Sequence, residues 1–173
     1  RQDTALNVQS PSGTFPELYS VPAAGGAPAM VMTQPAVSAT VDKSGSKILY
    51  QDQKGYESTW RKHHVSSVTR DIWVYDLKAK KNTQLTTFKG EDNNPVFDAD
   101  GDGFFYLSEQ DGSFNVYRSS LSKPSVAAKV TDFTKNPVRF LTRSASGLFS
   151  DAATAEIYTK AGTGAPKRVD IRI

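Results

Sequence analysis

The chain contains no cysteine among its 173 residues, and only two methionines, two tryptophans and two histidines. Without thiols there is neither a disulfide nor a thiolate metal site, although the missing cysteines do not by themselves identify the compartment. The two histidines adjoin as His63-His64, next to Arg61 and Lys62. Those cations repel a metal ion, and three or four convergent ligands are needed, so the pair reads as part of a solvated or interface-packing basic loop. No apolar run approaches the roughly 18 residues of a membrane-spanning helix. Gly-x-Ser-x-Gly, the phosphate-binding Gly-x-x-x-x-Gly-Lys pattern and Gly-x-Gly-x-x-Gly are all missing, which removes the sequence signals for a nucleophile elbow and for nucleotide binding. The 21 basic and 18 acidic residues are scattered along the chain, whereas nucleic-acid binders gather their basic residues into a stripe. These readings predict no cofactor, no metal, no nucleic-acid partner and no membrane span.

What the chain has is repetition. An apolar residue precedes an aromatic at Leu18-Tyr19, Ile72-Trp73, Val116-Tyr117 and Ile157-Tyr158. A glycine turn leads into an apolar-apolar-aromatic run at Asp42-Lys43-Ser44-Gly45 with Ile48-Leu49-Tyr50, and again at Asp98-Ala99-Asp100-Gly101 with Phe104-Phe105-Tyr106. A worn copy follows at Ser146-Gly147-Leu148-Phe149. Leu85-Thr86-Thr87-Phe88 returns as Val130-Thr131-Asp132-Phe133, and Asn94-Pro95 as Asn136-Pro137. The steps are 44 residues from Ile72 to Val116, 41 from Val116 to Ile157 and 42 from Pro95 to Pro137. Four short strands in a unit of that length are the signature of a β-propeller blade.

The expected fold is therefore all-β, a β-propeller fragment of about three and a half four-stranded antiparallel blades. The units are a half blade at 14–33, a blade at 36–88, a blade at 94–133 and a blade at 136–173. In the third unit strands are expected at Val96-Asp98, Phe104-Ser108, Asn115-Ser119 and Ala128-Val130. In the second they are expected at Ala39-Val41, Lys47-Tyr50, Asp71-Tyr75 and Thr83-Leu85. The last unit is read as Val138-Thr142, Leu148-Ser150, Glu156-Thr159 and Lys167-Ile171, and the half blade as Glu17-Val21 and Ala29-Met32. A ring normally closes with four to eight blades, so the segment is expected to belong to a larger ring. The chain also opens on Arg1 without a charged-then-apolar leader, and any targeting signal is expected upstream or removed.

One blade is interrupted at 51–70, where its sister spends only Glu109 to Phe114 between the same two strands. A long loop in a compact domain is more often functional than idle. Because blade strands alternate in direction, this loop shares a face with the links between blades. That face collects Trp60, Arg61, Lys62, His63, His64 and Arg70 beside Lys89, Glu91, Asp92 and Asn93, the candidate functional face. Trp60 has no counterpart in the other repeats and reads either as an exposed contact or as an inward anchor. Tyr50, Trp73, Tyr106, Tyr117 and Tyr158 recur at blade period and read as core. Asp98 to Glu109 satisfies the calcium-loop pattern, yet Pro95 blocks an entering helix and 104–107 is strongly β-forming, so a hairpin turn is expected instead.

The run Lys54-Gly55-Tyr56-Glu57, Trp60-Arg61-Lys62-His63-His64 and Thr69-Arg70-Asp71-Ile72-Trp73 resembles the inserted blade of tricorn-protease-like serine peptidases, in the form of bacterial exported homologues. Leu85 to Asp92, Tyr106 to Gly112, Phe114 to Tyr117 and Pro137 to Leu141 continue the likeness, which covers most of Phe15 to Ile173. The resemblance implies an exported, periplasmic multidomain peptidase whose catalytic residues lie outside this segment. The segment itself would be non-catalytic, shaping peptide access to or docking against distant catalytic domains, with the other blades and those domains as partners. A peptide substrate and a homo-oligomer are compatible with it. The alternative is a TolB-like scaffold that binds protein without hydrolysis. A prolyl-oligopeptidase-like propeller would require a Gly-x-Ser-x-Gly domain elsewhere, and a sialidase-like propeller is disfavoured by the lack of repeated Asp-boxes.

Overall fold

The computed structural model describes residues 15–55, 63, 65–143, 149–151, 156–159 and 167–169. Fourteen strands make up all the regular structure there, and no helix occurs among the described residues. β1 (Leu18–Ser20) and β2 (Ala29–Met32) form a two-stranded sheet. β3 (Ala36–Val41), β4 (Lys47–Asp52), β5 (Ile72–Asp76) and β6 (Lys81–Gln84) form the first four-stranded meander. β7 (Asp92–Phe97), β8 (Gly103–Ser108), β9 (Asn115–Ser120) and β10 (Ala128–Lys129) form the second, and β11 (Leu141–Arg143), β12 (Phe149–Asp151), β13 (Glu156–Thr159) and β14 (Lys167–Val169) the third. All pairings are antiparallel between consecutive strands, so the chain is a partial β-propeller.

The apolar-apolar-aromatic phrase forms the second strand of a blade because that strand is covered on both faces. Side chains alternate across a strand, and the alternate residues of β4 and β8 enter different cores. Ile48 and Tyr50 join Met32, Ala36 and Tyr75 between the half blade and the first full blade. Leu49 faces the other way and joins Ile72, Leu85, Phe97, Phe104, Tyr106 and Tyr117 between the two central blades. Phe105 and Leu107 then pack with Phe114, Val116 and Val138 toward the last blade. Tyr50, Tyr106 and Tyr117 are all buried, as expected of core aromatics.

Two inner strands run longer than their composition suggests, while the last, expected over Val138-Thr142, is shorter at Leu141–Arg143. β7 starts at Asp92, not Val96, and β3 at Ala36, not Ala39. Each carries a bulge, between Asn93 and Val96 and between Val37 and Thr40. Asn94 and Ser38 sit in these bulges with φ of 49° and 51°, and a bulge is also where a strand tolerates a residue such as Pro95. The last inner strand starts at Leu141, and Asn136-Pro137 lies in the link ahead of it rather than in a bulge. That dipeptide is a false echo of Asn94-Pro95.

The calcium-like run is a hairpin turn. Asp98 N–H donates to the Gly103 carbonyl at 2.7 Å, and Gly101 takes φ of 82°. Asp42 N–H donates to the Lys47 carbonyl at 3.0 Å in the sister turn, with Gly45 at φ 70°. The Arg118 guanidinium occupies the space between the acids, 2.8 Å from Asp98 and 2.9 Å from Asp100. Glu109 lies beyond the far end of β8, so the twelfth position of the pattern cannot close on the first.

Candidate functional site at the blade junction

Three hydrogen bonds recur where one blade passes to the next. A residue at or just ahead of the start of each inner strand donates its N–H two residues upstream of the apolar-aromatic phrase: Ala36 to the Pro16 carbonyl at 3.3 Å, Asp92 to Arg70 at 3.0 Å and Val138 to Phe114 at 2.9 Å. A threonine hydroxyl then closes the top of the third strand, Thr86 Oγ1 accepting Ile72 N–H and Thr131 Oγ1 accepting Val116 N–H, both at 2.9 Å. Over this repeated frame lies the long connection. β4 runs on through Gln51 and Asp52, paired with Ile72 and Ala36, so the connection covers 53–71 instead of 51–70.

Its neck is tightly made. A Cβ on Gly55 would lie 2.8 Å from Val68 Cγ1, so glycine is what lets the two legs touch. Lys54 Nζ donates to Asp71 Oδ2 at 2.5 Å and to the Thr69 carbonyl at 2.8 Å, and lies 3.4 Å from Asp52. Asp52 in turn accepts Asp71 N–H at 2.8 Å and Trp73 Nε1–H at 3.2 Å. Thr69 Oγ1 donates to the Ser66 carbonyl at 3.0 Å and the Lys89 carbonyl at 3.4 Å. Burial alone would lower the Lys54 ammonium, yet its bonds to Asp71 and Asp52 leave it above the ordinary lysine value. Burial lifts Asp71 above the usual carboxylate range, more than the Lys54 hydrogen bond draws it down.

Of the residues expected on this face, Arg70, Glu91 and Asp92 are brought together. Arg70 Nη1 donates to Glu91 Oε1 at 2.8 Å, and Arg70 N–H reaches Glu91 Oε2 at 3.3 Å. The Arg70 charge is thus held by the next blade's link, with little of either side chain exposed. Lys89 is exposed on the same link. His63 is exposed, has φ of 52°, and donates its backbone N–H to Glu109 Oε2 at 3.0 Å, so the loop reaches across to the next blade. Trp60, Arg61, Lys62 and His64 lie outside the described residues.

Asp92 is the buried centre of this junction, 1% exposed. Burial pushes its carboxyl up to about 7, against hydrogen bonds from the Ser108 and Thr86 hydroxyls and with Asp71 and Glu91 adding repulsion. Its Oδ1 has no hydrogen-bond partner. The residues around it that the sequence reading did not single out, Asp52, Lys54, Asp71, Thr86 and Ser108, approach from four separate stretches of chain. One signal was available: Met32-Thr33 matches Leu85-Thr86 and Val130-Thr131 in the repeat, marking threonine as part of the frame.

No protein-family model and no curated protein matches the sequence. Solved structures do match the fold. TolB from Acinetobacter baumannii superposes with a TM-score of 0.61 at 15% identity, over 88% of this chain and 34% of that one. A chain of the nidogen/laminin complex gives 0.60 at 15% identity, over 88% of this chain and 55% of that one. The tricorn protease gives 0.54 at 15% identity, over 87% of this chain and 16% of that one. The chain thus spans about a third of the TolB chain and about a sixth of the tricorn chain. Likeness at this identity establishes architecture, and the chain has a TolB-like, tricorn-like propeller fold.

Proposed function

We propose that this chain is a non-catalytic propeller segment of an exported tricorn-like serine peptidase, shaping the path of peptides toward catalytic domains elsewhere or docking against them. The observation that carries the reading is the built neck of the 53–71 connection. Lys54, Gly55, Val68, Thr69 and Asp71 lock its two legs together, and the His63 amide reaches Glu109 of the next blade. A loop fixed at its base and carried over the blade junction suits a contact platform better than an idle excursion. With Arg70 paired to Glu91, attraction of substrate carboxylates falls to Arg61, Lys62 and Lys89 in this reading. The proposed domain units remain 14–33, 36–88, 94–133 and 136–173, with the remaining blades and catalytic domains as partners.

The likeness to TolB supports a second reading, a periplasmic protein-binding scaffold without hydrolysis. Deleting Glu57 to Ser67 in the full-length protein tests the first. Peptide turnover or domain assembly is expected to fall while the propeller remains folded, and unchanged turnover with unchanged assembly rejects the peptidase role of the loop. A full-length protein that binds a protein partner through this face and cleaves no peptide decides for the scaffold.

A further inference from the structure

Asp92 stands where the fold itself asks for an apolar residue. Its counterpart in the preceding blade is Ala36: each donates the repeated link hydrogen bond, and each pairs with the last residue of the neighbouring strand, Ser108 or Asp52. In the last blade the two criteria separate, Val138 donating the link bond and Leu141 occupying the pairing position opposite Asp151. Both are apolar. Ala36 and Val138 are buried, as Asp92 is. Architecture therefore does not account for a carboxylic acid at this one junction, and buried acids set against local consistency tend to mark functional positions.

The surroundings of Asp92 favour its neutral form. Burial is the dominant influence, and it outweighs the hydroxyl donors of Ser108 at the end of β8 and Thr86 on the link, which by themselves favour the charged form, while Oδ1 has no partner. Glu91 adjoins it on the link, engaged by Arg70. Asp71 faces it from the end of the loop and is engaged by Lys54, with Asp52 of β4 behind. Tyr106 of β8 is the remaining ionisable neighbour, itself pushed up by burial and then by the Asp92 charge. Ionised Asp92 would be a desolvated anion among like charges, which folded proteins avoid by protonation or by letting water in.

The geometry points to Asp92 as a proton-operated latch between the two central blades: neutral, it closes the junction beneath the 53–71 connection, and ionised, it loosens that junction. The bonds that report on it are Asp92 N–H to Arg70, Ile72 N–H to Thr86 and Arg70 N–H to Glu91. The first and third tie the base of the loop to the next blade, and the second holds Thr86, the residue that faces Asp92, against the start of β5. A carboxyl raised to about 7 makes the latch responsive between mildly acidic and neutral pH. This inference is independent of the peptidase reading, since it concerns the seating of the loop and not what the loop contacts.

Hydrogen exchange on the intact full-length protein between pH 5 and pH 8, corrected for intrinsic rates, tests it. Protection of the amides of Arg70, Ile72 and Asp92 is expected to fall by about tenfold or more as pH rises to 7 and to level off above it. Asp92→Asn is expected to abolish that dependence, and so is Asp92→Val, which copies the last blade. Replacing both His63 and His64 by asparagine is expected to leave it intact. Protection that is flat with pH in the unsubstituted protein, a dependence that survives both Asp92 substitutions, or one that disappears with the histidines would each overturn the latch.

Discussion

Thr86 and Thr131 perform the same task one blade apart, each accepting an N–H at the start of the third strand of its sheet, from the first residue of β5 and the second of β9. Replacing either by valine keeps the shape and removes the acceptor, stranding a buried N–H at a cost of about 1–3 kcal/mol. Chemical denaturation of Thr86→Val and Thr131→Val is expected to show losses in that range for each. The two differ in what the hydroxyl does next, Thr131 donating to Asn115 Oδ1 at 3.0 Å within its own blade and Thr86 to Asp92 of the following one. Asp92 gives the residue-scale pH dependence. Its folded value of about 7 stands above the unfolded carboxylate value. The native state therefore holds the proton more tightly, so its contribution is fully present below about pH 4, declines as pH rises to 7 and is flat beyond. Asp92→Asn is expected to raise the melting temperature at pH 8 relative to the parent and to converge with it at pH 4. The upper bound on the gain is about 4 kcal/mol, the equivalent of three pH units.

At the scale of elements, the inner-strand bulges are the places where strand-forming and polar residues exchange roles. Asn94 adopts positive φ, donates its N–H to Gln51 Oε1 at 2.8 Å, and offers its side-chain Nδ2–H to the Arg139 carbonyl at 3.2 Å. Asn94→Gly is expected to lose only the side-chain bonds, that to Arg139 and a long one accepted from Ser38 Oγ at 3.4 Å, about 0.5–1.5 kcal/mol for each, whereas Asn94→Ala adds the left-handed strain of about 1–2 kcal/mol. Equal stabilities for the two variants would show that the bulge relaxes. This element also marks the limit of what the chain discloses unaided. Second and third strands were legible because Ile48-Leu49-Tyr50 and Phe104-Phe105-Tyr106 combine β-forming side chains with a glycine turn ahead of them. Inner strands were cut short because Asp92-Asn93-Asn94-Pro95 carries turn chemistry, and only the neighbouring blades hold it extended. Arg70, Glu91 and Asp92 could be gathered on one face from strand alternation alone. Their pairing, and the roles of Asp52, Lys54, Asp71 and Thr86, rest on contacts between residues up to 21 positions apart whose register no local pattern records.

For the molecule as a whole, every apolar cluster among the described residues lies between neighbouring sheets. Phe140, Val41 and Val21 are 63%, 59% and 56% exposed. Expressed as these 173 residues alone, the protein is expected to self-associate through open strand edges and such surfaces, a state that light scattering and size-exclusion chromatography detect. A monodisperse monomer with a single cooperative unfolding transition would contradict this expectation. The main-chain bond from Ala36 to Pro16, from Asp92 to Arg70 and from Val138 to Phe114 has a further consequence. Because this bond couples adjoining units through backbone atoms, that part of the joint does not depend on side-chain identity. Units of different sequence can thus stand next to one another, and a copied or excised unit meets a ready-made seam on either side. Differences between units are then free to gather around the seam, as in the connection from 53 to 71 and in the acid beneath it.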